Sequence, residues 1–194
     1  MKFSTQIAVG ITILFFWGCA AEKTIEKLPP PLPPQESAET YLKRGADASQ
    51  KGEHERAIAD YNRAIEVDPE FVVAYLNRGY SHTRMVEYEK AIADYTKAIE
   101  LNPRYAIAYH NRGFVYRKMG QYDQAILDYS KAIEIDSKYA LAYYHRGRAY
   151  YDQAEYEKAW EDIKKARSLG YKVPPDFLKT LREAYEKQKE TSPD

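Results

Sequence analysis

A single cysteine, Cys19, occurs in 194 residues, so no disulfide within the chain contributes to its fold. Charge of either sign is not in excess: 29 Lys and Arg stand against 29 Asp and Glu. With no net field, there is no global attraction for nucleic acid or an anionic membrane. A phosphate-cradling glycine loop, a His-Glu-x-x-His and a Gly-x-Ser-x-Gly are all missing. The four histidines (His54, His82, His110, His145) are scattered and compose no recognisable zinc site. These absences argue against an enzyme, a metal protein and a nucleic-acid binder, and no cofactor is expected. Glycine and proline are modest in number, whereas tyrosine reaches 19. Tyrosines in helical proteins usually serve as packing wedges whose hydroxyls reach water.

The N-terminus stands apart. Behind Met1-Lys2 lies Ile7–Trp17, an uncharged apolar run of eleven residues. It is short for a membrane span and has the length of a signal-peptide core. Gly18-Cys19-Ala20-Ala21 follows and resembles the lipobox of bacterial lipoproteins. That resemblance implies a signal peptide over 1–18, a lipidated Cys19 and anchoring to a membrane of the bacterial envelope. Ala20, with no Asp at that place, implies the periplasmic side of the outer membrane if the host has two membranes. The match departs from the family where Phe16 and Trp17 replace the usual Leu and small residue. Cleavage near Ala20 or Ala21, giving a soluble periplasmic or secreted protein, and an uncleaved anchor are the alternatives. Residues 19–37 read as a tether. Leu28–Pro34 (LPPPLPP) lacks the N–H groups a helix needs and favours extended polyproline II, a semi-rigid spacer. The rival reading is a ligand for an SH3-like groove.

A period of 34 residues governs the rest. Ala57–Glu66 (AIADYNRAIE) returns as Ala91–Glu100 (AIADYTKAIE) and Ala125–Glu134 (AILDYSKAIE). Counting from Ala38 gives four units, 38–71, 72–105, 106–139 and 140–173, each read as two antiparallel helices. So short a unit cannot bury its own apolar face, and the copies must stack. Stacked helices present long surfaces rather than a catalytic pocket. Gly52 and Gly120 fall between paired helices, where a left-handed residue is wanted. Asp68-Pro69 and Asn102-Pro103 read as N-caps followed by proline at the first helical position. Position 8 of every unit is glycine (Gly45, Gly79, Gly113, Gly147), and positions 20 and 27 are alanine. Glycine within a helix costs about 1 kcal/mol relative to alanine, so its recurrence implies close approach of two helices. Arg at position 7 (Arg44, Arg78, Arg112, Arg146) recurs with Asp at position 23 (Asp60, Asp94, Asp128, Asp162). These are expected to form bridges that lock helix pairs or successive units.

Aromatic at 4, Gly at 8, Ala at 20, aromatic at 24, Ala at 27 and Pro at 32 resemble the tetratricopeptide repeat across 136 consecutive residues. The resemblance implies an all-α, right-handed solenoid of four helix pairs with a concave inner face. The fourth unit departs from the pattern at Trp160, Ile163 and Arg167, as terminal units do. After it, 174–190 carries Phe177, Leu178, Leu181 and Tyr185 on one stripe, as a solvating cap helix does. A helix that binds a partner is the alternative.

In that family the concave face is built from first helices, at positions near 2, 5, 6, 9 and 12–13. The resemblance therefore implies a partner-binding groove of Leu76, Asn77, Tyr80, Arg84, His110, Asn111, Phe114, Arg117, Tyr144, His145 and Arg148. Its guest would be a protein or peptide segment with apolar and acidic residues. The bland alternative is a merely solvated inner wall. Adaptors of heat-shock chaperones in the family use a five-residue carboxylate clamp; here Leu42, Ala46, Ile107 and Asn111 break it, and only Asn77 matches. The expectation is a scaffold anchored to the envelope. A self-assembling homo-oligomer and an accessory subunit of an envelope enzyme are the alternatives.

Overall fold

The computed structural model describes residues 36–191, in which all regular structure is helical. The predicted signal peptide, Cys19 and the proline-rich stretch lie outside the described residues. Four helix pairs follow in chain order: α1 (Ala38–Gln50) with α2 (His54–Val67), α3 (Val72–Arg84) with α4 (Tyr88–Leu101), α5 (Ala106–Lys118) with α6 (Tyr122–Ile135), and α7 (Ala140–Asp152) with α8 (Tyr156–Ser168). The ninth helix, α9 (Pro175–Thr191), packs on α8. Each helix packs on its chain neighbours, and the first helices also touch one another: α1 with α3, α3 with α5, α5 with α7. The layer whose members meet is the narrower one, so α1, α3, α5 and α7 line the inside of the curve.

The core repeats with the sequence. Ala57, Ala91, Ala125 and Ala159 are fully buried, as are Ala64, Ala98, Ala132 and Ala166. Beside them Tyr61, Tyr95, Tyr129 and Ile163 fill position 24. The position-8 glycines face those side chains. A Cβ on Gly45 would lie 2.6 Å from Tyr61 Cε1, and one on Gly79 2.8 Å from Tyr95 Cε1. At Gly113 and Gly147 the carbonyls of Ala125 and Ala159 come equally into play, each at 3.1 Å. The close approach expected of the helices is thus shared with the position-24 side chain, a tyrosine ring in three units and Ile163 in the fourth.

Two turn chemistries join the helices. Between paired helices the residue at position 15 is left-handed: Gly52 at φ 80°, Gly120 at 76°, but also Val86 at 63° and Ala154 at 60°. A side chain there costs about 1–2 kcal/mol, a cost Val86 and Ala154 bear. Between units the structure corrects the expected caps. Asp68 and Asn102 close α2 and α4, and the following helices begin only at Val72 and Ala106. The Asp68 carboxylate accepts from Glu70 N–H at 3.0 Å, and the Asn102 Oδ1 from Arg104 N–H at 3.1 Å. Each is an Asx turn that folds the chain back across Pro69 or Pro103. Asp136 does the same for Lys138 without a proline.

The Arg–Asp recurrence forms a ladder. Arg112 grips Asp128 with Nε and NH2, both at 2.8 Å, while its NH1 reaches back to Thr96 at 2.9 Å. Arg78 spans Asp94 and Asn62 in the same way, and Arg146 spans Asp162 and Ser130. One guanidinium therefore ties its own helix pair together and ties that pair to the preceding unit. Arg44 has no preceding unit and takes Glu36 instead, at 2.9 Å.

Candidate functional site

The inner wall divides into two halves of different character. Toward the C-terminal end most of its polar groups pair with one another, while Arg117 Nε and Arg148 Nε are buried without a hydrogen-bond partner. His110 stacks on His145 with centroids 4.9 Å apart and planes 15° from parallel. The two rings share a 3.0 Å hydrogen bond, and His110 Nδ1 lies 3.1 Å from Asn111 Oδ1. Because Asn111 Oδ1 can only accept, His110 Nδ1 carries the proton, His110 Nε2 accepts, and His145 Nδ1 donates. That arrangement is the one two neutral imidazoles make, and burial favours the neutral form of both. Burial lowers the His110 pKa to about 4, and the His145 pKa falls to about 3 through burial, then through His110 and the nearby Arg117 and Arg148 charges.

Aromatic rings close around this pair. Tyr139 lies 5.0 Å from His110, and Phe114 lies 5.5 Å from His145. Tyr144 packs against His145, and against Tyr171 and Phe177 at the approach to and on α9. Arg148 lies over the Phe177 ring at 4.9 Å and donates to the Tyr144 hydroxyl. Arg117 pairs with Asp152 at 2.8 Å and is largely buried. The structure thus places His110 and Tyr144 beneath the surface, with His145, Arg117 and Arg148 half-buried and engaged. These five are brought together as one packed cluster.

The N-terminal half is more open. Leu76 is buried in the core formed with Tyr75, Ala91 and Tyr95, so it supports the wall from beneath. Tyr80 is 45% exposed. Val73 and Ile107, at position 2 of their units, are 37% and 42% exposed. Asn77, Asn111 and Phe114 are half-buried between them, and Arg84 is exposed at the end of α3. Apolar side chains with amide groups between them compose a surface that could hold an extended chain: the amides can meet backbone groups and the apolar residues can seat side chains. Sequence position alone treats Leu76 and Tyr80 alike. Only their surroundings separate a core residue from a contact residue.

A family model described as TPR repeat matches residues 49–86, 87–120 and 115–154. Among solved structures, the crystal structure of MamA is 33% identical with a TM-score of 0.65, covering 68% of this chain and 77% of that one. A second MamA crystal structure is 31% identical with a TM-score of 0.64, covering 71% and 79%. The first TPR of Spaghetti (RPAP3), bound to the HSP90 peptide SRMEEVD, is 24% identical with a TM-score of 0.59, covering 60% of this chain and 93% of that one. That last likeness shows the fold alone. A search of curated proteins gave no match.

Proposed function

The chain belongs to the tetratricopeptide repeat family, and from that premise we propose that it is a non-enzymatic scaffold whose inner wall holds a segment of a partner protein. Members of the family generally serve protein–protein interaction. The observation that carries the reading here is that Val73, Tyr80 and Ile107 stay exposed on the face where Asn77 offers an amide and Asn111, its Oδ1 taken by His110, offers its NH2. The Spaghetti array is solved with an HSP90 peptide. This chain matches only Asn77 of the five clamp positions, so its segment differs. The lipobox-like stretch at Gly18-Cys19-Ala20 supports a membrane anchor, and Leu28–Pro34 supports a spacer between anchor and array.

The test is cross-linking in intact cell envelopes. Full-length protein is compared with a Tyr80→Ala/Ile107→Asp variant and with Cys19→Ser. Arg117 is left alone, because removing it would strip Asp152 of its partner. Loss of a cross-linked partner in the inner-wall variant alone, with helicity unchanged, supports the scaffold. An identical partner set for both sinks it, and retained self-cross-links would then favour self-assembly. Release of Cys19→Ser from the membrane fraction supports the anchor; unchanged fractionation counts against it.

A further inference from the structure

Between the first and second repeats lies an opening beside position 17, where the first unit carries histidine and the later units tyrosine. A cavity of about 250 Å³ is lined by Ser49, Gln50, Gly52, His54, Tyr80 and Arg84. Position 17 is tyrosine in the second, third and fourth units (Tyr88, Tyr122, Tyr156) and His54 in the first. Tyr88 packs onto the core of its unit, and Tyr156 lies 5.4 Å from the Tyr151 ring. An imidazole is shorter than a phenol and lacks its hydroxyl. The His54 ring meets Tyr80 edge-on at 6.4 Å. Position 12 is also smallest here, with Ser49 where later units have Thr83, Arg117 and Tyr151.

The opening is polar and poised for negative charge. The Arg84 guanidinium makes no ion pair, hydrogen bond or ring contact among the described residues. Glu53 and Glu87, the acids nearest it along the adjoining turns, are already held by Arg56 and by Lys90 and His82. His54 Nδ1 is buried and has no hydrogen-bond partner. A buried polar atom without a partner costs about 1–3 kcal/mol. An acceptor entering the cavity can relieve that cost, directly or after the ring turns over.

We propose that this cavity receives a carboxylate of the segment held in the groove, with Arg84 supplying the charge, His54 a second donor and Tyr80 the wall shared with the groove. The proposal rests on the scaffold reading. The carboxylate can come from an Asp or Glu side chain or from a chain terminus.

Full-length chain in detergent micelles is used to select binders from a random peptide library. The enriched peptides are then measured on wild type, Arg84→Gln, His54→Tyr and Phe114→Ala, with circular dichroism confirming that each variant is folded. The expected result is an acid at fixed spacing from an apolar residue. Converting that acid to its amide weakens binding roughly tenfold or more on wild type and changes little on Arg84→Gln or on His54→Tyr, which restores the tyrosine of the later units. Where amidating the C-terminus has the same effect, the terminus is the source of the carboxylate. Peptides without a required acid, lost on Phe114→Ala but indifferent to Arg84→Gln, overturn the cavity proposal and leave the scaffold standing. No enrichment at all overturns both.

Discussion

His110 and His145 lie 35 residues apart in sequence and 3.0 Å apart between ring nitrogens. Their neutrality in the fold makes stability depend on pH in a definite sense. Folded-state pKa values of about 4 and about 3 lie below the ordinary value of 6.5. Between the two limits the unfolded chain binds more protons than the folded one. Stability from this pair is therefore complete above pH 6.5 and is lost as pH falls toward the folded values. His110 alone accounts for about 3 kcal/mol across that window. Urea melts at steps from pH 7.5 to pH 5 should show a falling midpoint, and His145→Phe should make the fall shallower. A midpoint that is flat over this range would show that the pair is not buried as described. The histidines at 110 and 145 are visible in the sequence as members of an inner face. Their contact is not, because it depends on how far α7 is rotated against α5.

The unit of cohesion at the level of elements is the Arg–Asp ladder. Asp94, Asp128 and Asp162 are buried, and each accepts two bonds from one guanidinium. Burial pushes the Asp128 carboxyl above its ordinary value, and Arg112 pulls it back. Removing Arg112 would leave that carboxylate buried and alone, which costs about 3–5 kcal/mol. Arg112→Gln should lower the free energy of chemical unfolding by an amount in that range. Asp128→Asn in the same chain should recover part of it. Arg44 is the contrast. Its side chain is 43% exposed and its outer partner is Glu36, so Arg44→Gln should cost distinctly less. The sixteen-residue spacing of these pairs was legible in the sequence. The reach of NH1 to position 25 of the preceding unit (Asn62, Thr96 or Ser130) was not, because those three side chains share only hydrogen-bonding capacity and no common residue type.

For the array as a whole, termination matters as much as repetition. The last helix pair exposes a face on which a fifth unit would stack, and α9 covers it. Leu181 is fully buried there, and Trp160 stacks on Tyr185 with planes 8° apart. The outward side of α9 carries Lys179, Glu183 and Glu186 instead of a further apolar stripe, and Arg182 lies over the Trp160 ring at 5.9 Å. Ending the chain at Gly170 should uncover Ile163 and Trp160 and make the array aggregate. Leu181→Ala, a milder lesion, should cost about 2–5 kcal/mol while leaving the protein monodisperse by size-exclusion chromatography. Aggregation of the point variant would show that α9 does more than cap.

The 34-residue period by itself determined the helix pairs, their stacking and the close approach at the position-8 glycines, because each follows from a local pattern repeated at constant spacing. Tertiary structure decided which inner-face residues are surface. Leu76, His110 and Tyr144 disappear into the wall, while Val73, Tyr80 and Ile107 remain on it. It also moved the helix starts from Pro69 and Pro103 to Val72 and Ala106, since an Asx turn and a cap draw on the same residue types. The physical reason is common to all of these. Periodicity sets the direction in which a side chain points, whereas exposure depends on the packing of neighbouring helices that the period alone does not specify.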